Sequence, residues 1–180
     1  MLMNDSIYYY SCKAAAYIGK LKVYSNYSFS RYSINENTEV MKYVKSEIGE
    51  DKVICTPVNV GNPHAVIFIT DTENAPVAVL GPQIEKHSMF PGGVNVEFVQ
   101  VISDRKLRMR VWERGSGITM ACGTGACASA AAAVRKGFCR SGEPITVVLD
   151  GGELKITVAS EDCISMCGPA EFVYEGEISV

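Results

Sequence analysis

Residues 113–138 read ERGSGITMACGTGACASAAAAVRKGF, and this stretch decides the fold. Its glycines at 115, 117, 123 and 125 predict a loop, and the run after them predicts a helix over 125–136 that ends before Gly137. The first three turns of that helix carry only small, uncharged side chains, and a helix that is apolar on every face is buried. Because small side chains let strands approach closely, the sequence predicts an α+β fold in which a mainly antiparallel sheet wraps around a central buried helix.

The composition is that of a globular protein and shows no signature of binding to nucleic acid or to a membrane. The 180 residues are 47% hydrophobic and 21% charged, with a net charge of −3 and no polybasic stretch. The uncharged segment 115–134 is long enough to cross a bilayer, but it holds too little Leu, Ile and Phe to partition there. Seven cysteines without a CxxC pair argue against a disulfide framework and a structural zinc site, so a reducing, cytoplasmic location is expected.

Strand patterns occupy most of the chain after residue 52. Alternating or β-branched runs predict strands over 53–56, 65–70, 94–102, 106–112, 145–149, 154–158 and 164–166, and residues 103–105 can form a hairpin turn. A short helix is predicted over 81–87. Another is predicted over 35–49, where Asn37 is a plausible N-cap and Val40, Met41, Val44 and Ile48 form an apolar stripe.

A candidate reactive thiol lies at the start of the central helix, in Ala121-Cys122-Gly123-Thr124-Gly125. The positive field of a helix N-terminus lowers the pKa of a thiol, and the free amides there can bind a carboxylate. A buried structural cysteine in a glycine-rich turn is an equally good interpretation of this spacing.

Two other short segments carry groups suited to acid/base chemistry. In Glu113-Arg114 the arginine can bind a substrate carboxylate and the glutamate can exchange a proton with the thiol, although a surface ion pair is the simpler interpretation. In Asn62-Pro63-His64 the proline fixes the turn into a buried strand, and the histidine can shuttle protons near neutral pH. A lone histidine is, however, more often structural.

Asn95 is the remaining polar candidate, and the chain shows no cofactor signature. Asn95 alternates with Val94 and Val96 on a predicted strand, so it faces either a ligand or, by default, solvent. His87 has no companion at metal-ligand spacing, and neither a P-loop nor a dinucleotide fingerprint occurs. No metal and no cofactor are therefore expected.

Taken together, these segments resemble the diaminopimelate epimerase family. The matching stretches are GNPHAVIF (61–68), LGPQIEKHSMFPGGVNVEFVQV (80–101), RVWERGSGITMACGTGACASAAAAVRKG (110–137), DGGELKI (150–156) and GPAEFVYEGEI (168–178). They follow the family's order and spacing and identify residues 51–180 as its C-terminal lobe. Residues 1–50 match poorly and are interpreted as a remnant or linker with one helix.

The resemblance implies two similar lobes, each a sheet around a central helix, with the active site between them. It implies epimerisation of LL- to meso-diaminopimelate without pyridoxal phosphate or metal. By motif, Cys122 is one catalytic thiol, Glu113 is its acid/base partner, and His64 belongs to the site but assists the other thiol. The substrate-binding residues that it implies are Asn62, Asn95 and Arg114, with the amides of Gly123 and Thr124 receiving the α-carboxylate.

The sequence departs from the family at the second thiol, which the family carries in a CGNG-type motif. Cys12 lies in YSCKAAA and Cys55 in VICTPV, and neither precedes a glycine-rich loop. We therefore expect a half-enzyme with little or no activity alone, which binds a small amino-acid substrate and needs either a homodimer or a separate N-terminal lobe. Two alternatives stay open: a related racemase or isomerase lobe for another amino acid, such as a proline derivative, and a non-catalytic ligand-binding module.

Overall fold

The computed structural model describes residues 13–17, 20–24, 43–45, 52–160 and 163–169. Twelve strands and two helices lie in these ranges. In chain order they are β1 (Lys13–Tyr17), β2 (Lys20–Tyr24), β3 (Tyr43–Lys45), β4 (Lys52–Ile54), β5 (Thr56–Asn59), β6 (Pro63–Phe68), α1 (Val77–Glu85), β7 (Asn95–Ser103), β8 (Lys106–Glu113), β9 (Gly117–Ile118), α2 (Gly123–Arg135), β10 (Pro144–Leu149), β11 (Gly152–Ser160) and β12 (Cys163–Cys167).

Eight of these strands form one mixed sheet in the order β12-β11-β10-β8-β7-β6-β5, with β9 paired to β8. The pairs β6–β7 and β8–β10 are parallel, and the other pairs of this sheet are antiparallel. The tight connection between β7 and β8 turns at residues 104 and 105, as predicted. The prediction of a mainly antiparallel sheet is confirmed.

The sheet wraps around helix α2, which contacts strands β5, β6, β7, β8, β10, β11 and β12. Ala126, Ala128, Ala130 and Ala133 are completely buried, and they pack among apolar side chains that the surrounding strands direct inward. Alanine at these positions lets the strands lie close to the helix backbone, and this continuous packing is the main hydrophobic core. The central buried helix of the predicted α+β fold is therefore confirmed.

Helix α2 ends as predicted but begins earlier. Lys136 is its C-cap, and Gly137 follows with φ +75°, a left-handed conformation that glycine adopts without strain. The first helical residue is Gly123 rather than Gly125, because Cys122 takes the N-cap position and its sulfur accepts a hydrogen bond from the Gly125 amide. The cap is a cysteine, which lies outside the usual N-cap set of Ser, Thr, Asp and Asn.

Helix α1 covers the opposite face of the sheet, where a second core includes Val77, Ile84 and Phe98. It begins at Val77, four residues before the predicted helix, because Val77 is buried in this core and adds a turn that local sequence does not reveal. A Cβ on Gly81 would lie 2.5 Å from Cγ of Trp112, so a glycine is needed where α1 crosses β8. Neither described helix is long and apolar enough to cross a membrane.

Before residue 52 the structure describes only strands β1, β2 and β3; β1 pairs with β2 and β3 pairs with β4, both antiparallel. The predicted helix over 35–49 is wrong at residues 43–45, which form β3, with Val44 opposite Val53. Aromatic and β-branched residues favour a paired strand, and this pairing overrides the helical spacing of the apolar stripe. The other residues of that predicted helix, and Cys12, lie outside the described ranges.

Candidate active site

Cys122 lies at the junction between the loop after β9 and the first turn of α2. Its Sγ accepts a hydrogen bond from the Gly125 amide at 3.3 Å and lies 3.5 Å from Oγ1 of Thr124. The residue is 6% exposed and belongs to the edge of the main core. The thiol is thus enclosed by apolar packing on one side and contacted by polar groups of its own helix on the other.

Burial raises the pKa of the Cys122 thiol above its usual value. The hydrogen bonds from Thr124 and Gly125 lower it, but they do not offset the loss of water, and the negative charges of Glu113 and Glu97 raise it further. The expectation of a lowered thiol pKa is therefore wrong for this chain. A helix N-terminus favours the thiolate by a modest amount, whereas removing a charge from water costs more.

A hydrogen-bond network connects the thiol to the Asn62-Pro63-His64 turn. Nδ2 of Asn62 lies 3.4 Å from Oγ1 of Thr124, and Oδ1 of Asn62 lies 3.0 Å from Nε2 of His64. Nδ1 of His64 lies 2.6 Å from Oε1 of Glu97 on the neighbouring strand β7. Because β6 enters the sheet beside the start of α2, the turn and the thiol, 60 residues apart in sequence, meet in one place.

Glu113 ends β8 on the side of the thiol. One of its carboxylate oxygens accepts a hydrogen bond from the hydroxyl of Thr119, in the segment that leads to Cys122. Its charge is near enough to raise the pKa of the Cys122 thiol. The charge of Glu113 therefore acts on the thiol, but among the described residues its side chain hydrogen-bonds to Thr119 and not to Cys122. The described residues also show no ion pair between Glu113 and a basic residue.

Asn95 and Arg114 interact with each other rather than with the thiol. Asn95 is buried, so its default assignment to solvent is wrong, and its Oδ1 accepts the backbone amide of Arg114 at 2.8 Å. The guanidinium of Arg114 donates to the carbonyl oxygen of Gly92 at 2.8 Å. Within the described ranges neither residue hydrogen-bonds to Cys122, and both hold the loop before β7 against the end of β8.

The first amides of α2 remain available for an acceptor. Within the described ranges, the backbone N–H groups of Gly123 and Thr124 make no hydrogen bond, as is usual for the first turn of a helix. A Cβ on Gly123 would lie 3.1 Å from Sδ of Met166, so a side chain at this position would push against Met166. These two amides can bind a carboxylate next to the Cys122 sulfur.

Sequence reasoning missed Glu97. This residue is completely buried, and its Oε2 has no hydrogen-bond partner among the described residues. The signal was present in NVEFVQV (95–101), where the two-residue period of a strand places the glutamate on the same face as Asn95 and Val99. A carboxyl group at a core position is uncommon unless it has a partner, and here the partner is His64.

The raised thiol pKa leads to a first prediction. In the isolated chain, the rate at which iodoacetamide alkylates Cys122 should still increase between pH 8 and pH 10, because only the thiolate reacts and burial keeps the thiol protonated. Site-resolved mass spectrometry follows each cysteine, with the exposed Cys167 as an internal control for the reagent. A rate for Cys122 that reaches its plateau below pH 8 would contradict the burial effect.

The fold is similar to that of solved racemases and epimerases. The structure is similar to a hydroxyproline epimerase from Agrobacterium vitis at a TM-score of 0.59 and 17% identity, covering 87% of this chain and 51% of that chain. It is also similar to a probable proline racemase from Agrobacterium radiobacter K84 at a TM-score of 0.54 and 15% identity, covering 87% of this chain and 54% of that chain. At such identities the likeness concerns the fold alone.

Sequence comparison gives the family. The model of the diaminopimelate epimerase family matches residues 56–173. Diaminopimelate epimerases from Bacillus cytotoxicus and Bacillus mycoides are each 54% identical to this chain over 121 residues, which is 67% of this chain and 42% of each relative. The chain therefore belongs to the diaminopimelate epimerase family, and it spans less than half the length of these curated relatives.

Proposed function

We propose that this chain supplies one lobe and one acid/base thiol, Cys122, for the cofactor-independent epimerisation of LL- to meso-diaminopimelate, a step toward lysine and peptidoglycan precursors. The observation that carries the proposal is the placement of Cys122 at the N-terminus of the buried helix α2, hydrogen-bonded through Thr124 and Asn62 toward His64. Membership of the diaminopimelate epimerase family supports the choice of substrate.

Inversion at Cα needs a base on one face of the carbon and an acid on the other. A single thiol can remove the α-proton but tends to return it to the same face. Cys127, the next cysteine along α2, does not meet this need, because complete burial raises its pKa to about 12. In this proposal the second thiol comes from another lobe, and the raised pKa of Cys122 suits it to enter the reaction as the proton donor.

The α-carboxylate binds at the start of α2 in this proposal. The amides of Gly123 and Thr124 receive it, and the same oriented donors stabilise the negative charge that develops when the α-proton leaves. Glu113 exchanges protons with Cys122, while Asn62 and Asn95 bind the substrate. Arg114 can join them if its guanidinium exchanges the Gly92 carbonyl for a substrate carboxylate.

A covering lobe is part of the proposal. Ile118 and Met120, on β9 and in the loop that leads to Cys122, are 45% and 63% exposed, so large apolar side chains border the thiol. The covering lobe is either a separate N-terminal lobe or a second copy of this chain, and closing it over the site excludes water. A clean monomer in sedimentation at high concentration argues against the homodimer.

The proposal includes a cytoplasmic location for the chain. The described cysteines form no disulfide with one another, which supports a reducing, cytoplasmic setting. A disulfide-bonded Cys122 would have no thiol proton to donate.

A chimeric enzyme tests the function. Residues 56–173 of this chain replace the matching segment of the Bacillus cytotoxicus diaminopimelate epimerase, which supplies the rest of the enzyme. We expect the chimera to convert LL- to meso-diaminopimelate and the isolated chain to show little or no conversion, measured by chiral chromatography. A folded chimera without turnover would contradict the proposed activity, and measurable conversion by the isolated chain would contradict the division between two lobes.

The burial of Cys122 favours a second candidate, a non-catalytic ligand-binding module. A thiol that stays protonated in an enclosed site can line a binding pocket without reacting. The same chimera separates the two, because a binding module should retain affinity for diaminopimelate in calorimetry while showing no turnover.

A further inference from the structure

The completely buried carboxyl group of Glu97 packs against the first turn of α2, the helix that begins after Cys122. Glu97 Oε1 would be only 2.9 Å from a Cβ on Gly125, so the carboxyl group packs against the helix backbone where the Gly125 amide donates to Cys122 Sγ. Its second oxygen, Oε2, has no partner among the described residues. Burying a carboxyl group in this way costs free energy, so its position calls for a role beyond packing.

The hydrogen bonds next to Glu97 have a defined direction. The amide group of Asn62 uses Nδ2 to donate to Thr124, so its Oδ1 faces His64 and can only accept. With the Asn62 amide in this orientation, Nε2 of His64 carries a hydrogen. At the other side of the ring, Nδ1 and Glu97 Oε1 are 2.6 Å apart and share one further proton.

In the chain of hydrogen bonds from His64 to Cys122, each donor lies on the His64 side and each acceptor on the side of the sulfur. Nε2–H of His64 donates to Asn62, and Nδ2–H of Asn62 donates to the Thr124 hydroxyl oxygen. Because Thr124 Oγ1 accepts that bond, its own hydrogen is free to donate to Cys122 Sγ, 3.5 Å away. A sulfur that accepts from both Thr124 and Gly125 is better able to carry negative charge.

We propose that Glu97 is a positioning residue, which fixes the Nε2–H form of His64 and thereby, through Asn62 and Thr124, orients a hydroxyl donor toward the Cys122 sulfur. The catalytic meaning of this inference rests on the proposed function. The hydrogen bonds from which it is drawn all lie within this chain. The ionisable groups around the relay are His64 on β6, Glu113 at the end of β8, and Cys122 and Cys127 at α2.

Two substitutions at the same position separate orientation from charge. Glu97→Gln and Glu97→Leu both remove the carboxyl group, so both remove its charge effect on the thiol. Only the glutamine can donate to Nδ1 of His64 and hold the Nε2–H form. We expect the pH of half-maximal Cys122 alkylation to be about one unit higher in the leucine variant than in the glutamine variant, as for the loss of one hydrogen bond to a charged atom.

Thr124→Val supplies the decisive control. It interrupts the relay between Asn62 and the sulfur without changing Glu97, so in its background the glutamine and leucine variants should give the same alkylation pH. A difference that persists in this background would show that Glu97 acts by another route and would overturn the inference. The inference would also be overturned if the two Glu97 variants, in the otherwise unchanged chain, had the same pH of half-maximal Cys122 alkylation.

A spectroscopic measurement covers the case in which the leucine variant does not fold. The chain has two histidines, so a His87→Gln variant assigns the ring signals of His64 in long-range ¹H–¹⁵N spectra. We expect Nε2 of His64 to be protonated in the unsubstituted chain and in Glu97→Gln. An Nε2 without hydrogen would overturn the inference. Neither readout needs turnover, so their failure is distinct from failure of the proposed epimerase activity.

Discussion

Cys122→Ala is expected to lower the rate of diaminopimelate epimerisation by the chimera about 10²- to 10⁴-fold, the range that a positioned proton-transfer group contributes. The substitution removes the one thiol that the described structure places at the first turn of α2, beside the free amides of Gly123 and Thr124. The loss should fall mainly on kcat, because those amides remain to bind the carboxylate. Steady-state kinetics with LL-diaminopimelate measure the effect.

Cys163→Ala is the matched control, since Cys163 on β12 takes no part in the hydrogen-bond network around Cys122. This control should keep a rate close to that of the unsubstituted chimera. A Cys122→Ala chimera that retains more than about a tenth of the parent rate would remove this thiol from proton transfer, because even weak acid/base catalysis exceeds that factor.

The second large effect concerns the fold. Ala130→Leu is expected to lower the free energy of unfolding by about 1–3 kcal/mol or more, the usual cost of adding methylene groups to a well-packed core. Ala130 is completely buried in α2, and the sheet surrounds this helix, so the added side chain has no free space. Urea unfolding of the chain, followed by circular dichroism, measures the change.

Arg135→Leu provides the matched comparison, because it introduces the same side chain at an exposed position in the last turn of the same helix. It should change the free energy of unfolding by less than about 0.5 kcal/mol, as is usual for surface substitutions. Equal stability of the two leucine variants would mean that α2 is not enclosed as described.

The parts of the fold that the sequence predicted are those with strong local signals. The small-residue run after Cys122 predicted a buried helix, Gly137 marked its end, and the turn at 103–105 marked the β7–β8 hairpin. The parts that it did not predict depend on distant contacts. Helix α1 starts early because Val77 packs in the second core, and residues 43–45 pair with β4 despite their helical spacing.

In the candidate site, too, local motifs predicted some features, whereas others depend on contacts between distant parts of the chain. Residue types and motifs singled out Asn62, His64, Thr124 and Cys122, and the structure brings these four together in one network. The direction of the thiol pKa could not be obtained from the motif, because it depends on how completely the sheet buries the sulfur. Their roles in catalysis remain proposals.

Glu97 was hidden for a related reason. The two-residue period of 95–101 groups Glu97 with Asn95 and Val99, but it does not show that this face of the strand packs against α2. Its partner His64 lies on a neighbouring parallel strand, a pairing between residues 33 positions apart that local pattern does not reveal.

Isotope incorporation by the chimera in D₂O is the most direct measurement of whether Cys122 works opposite a second thiol. With LL-diaminopimelate and short reaction times, two groups on opposite faces should give meso product that carries deuterium at the inverted carbon, while the recovered LL substrate keeps its α-protons. Mass spectrometry and ¹H NMR of the separated isomers report both. Deuterium appearing equally in recovered substrate and product would show that one group serves both faces, and Cys122 would then not be half of a two-thiol pair.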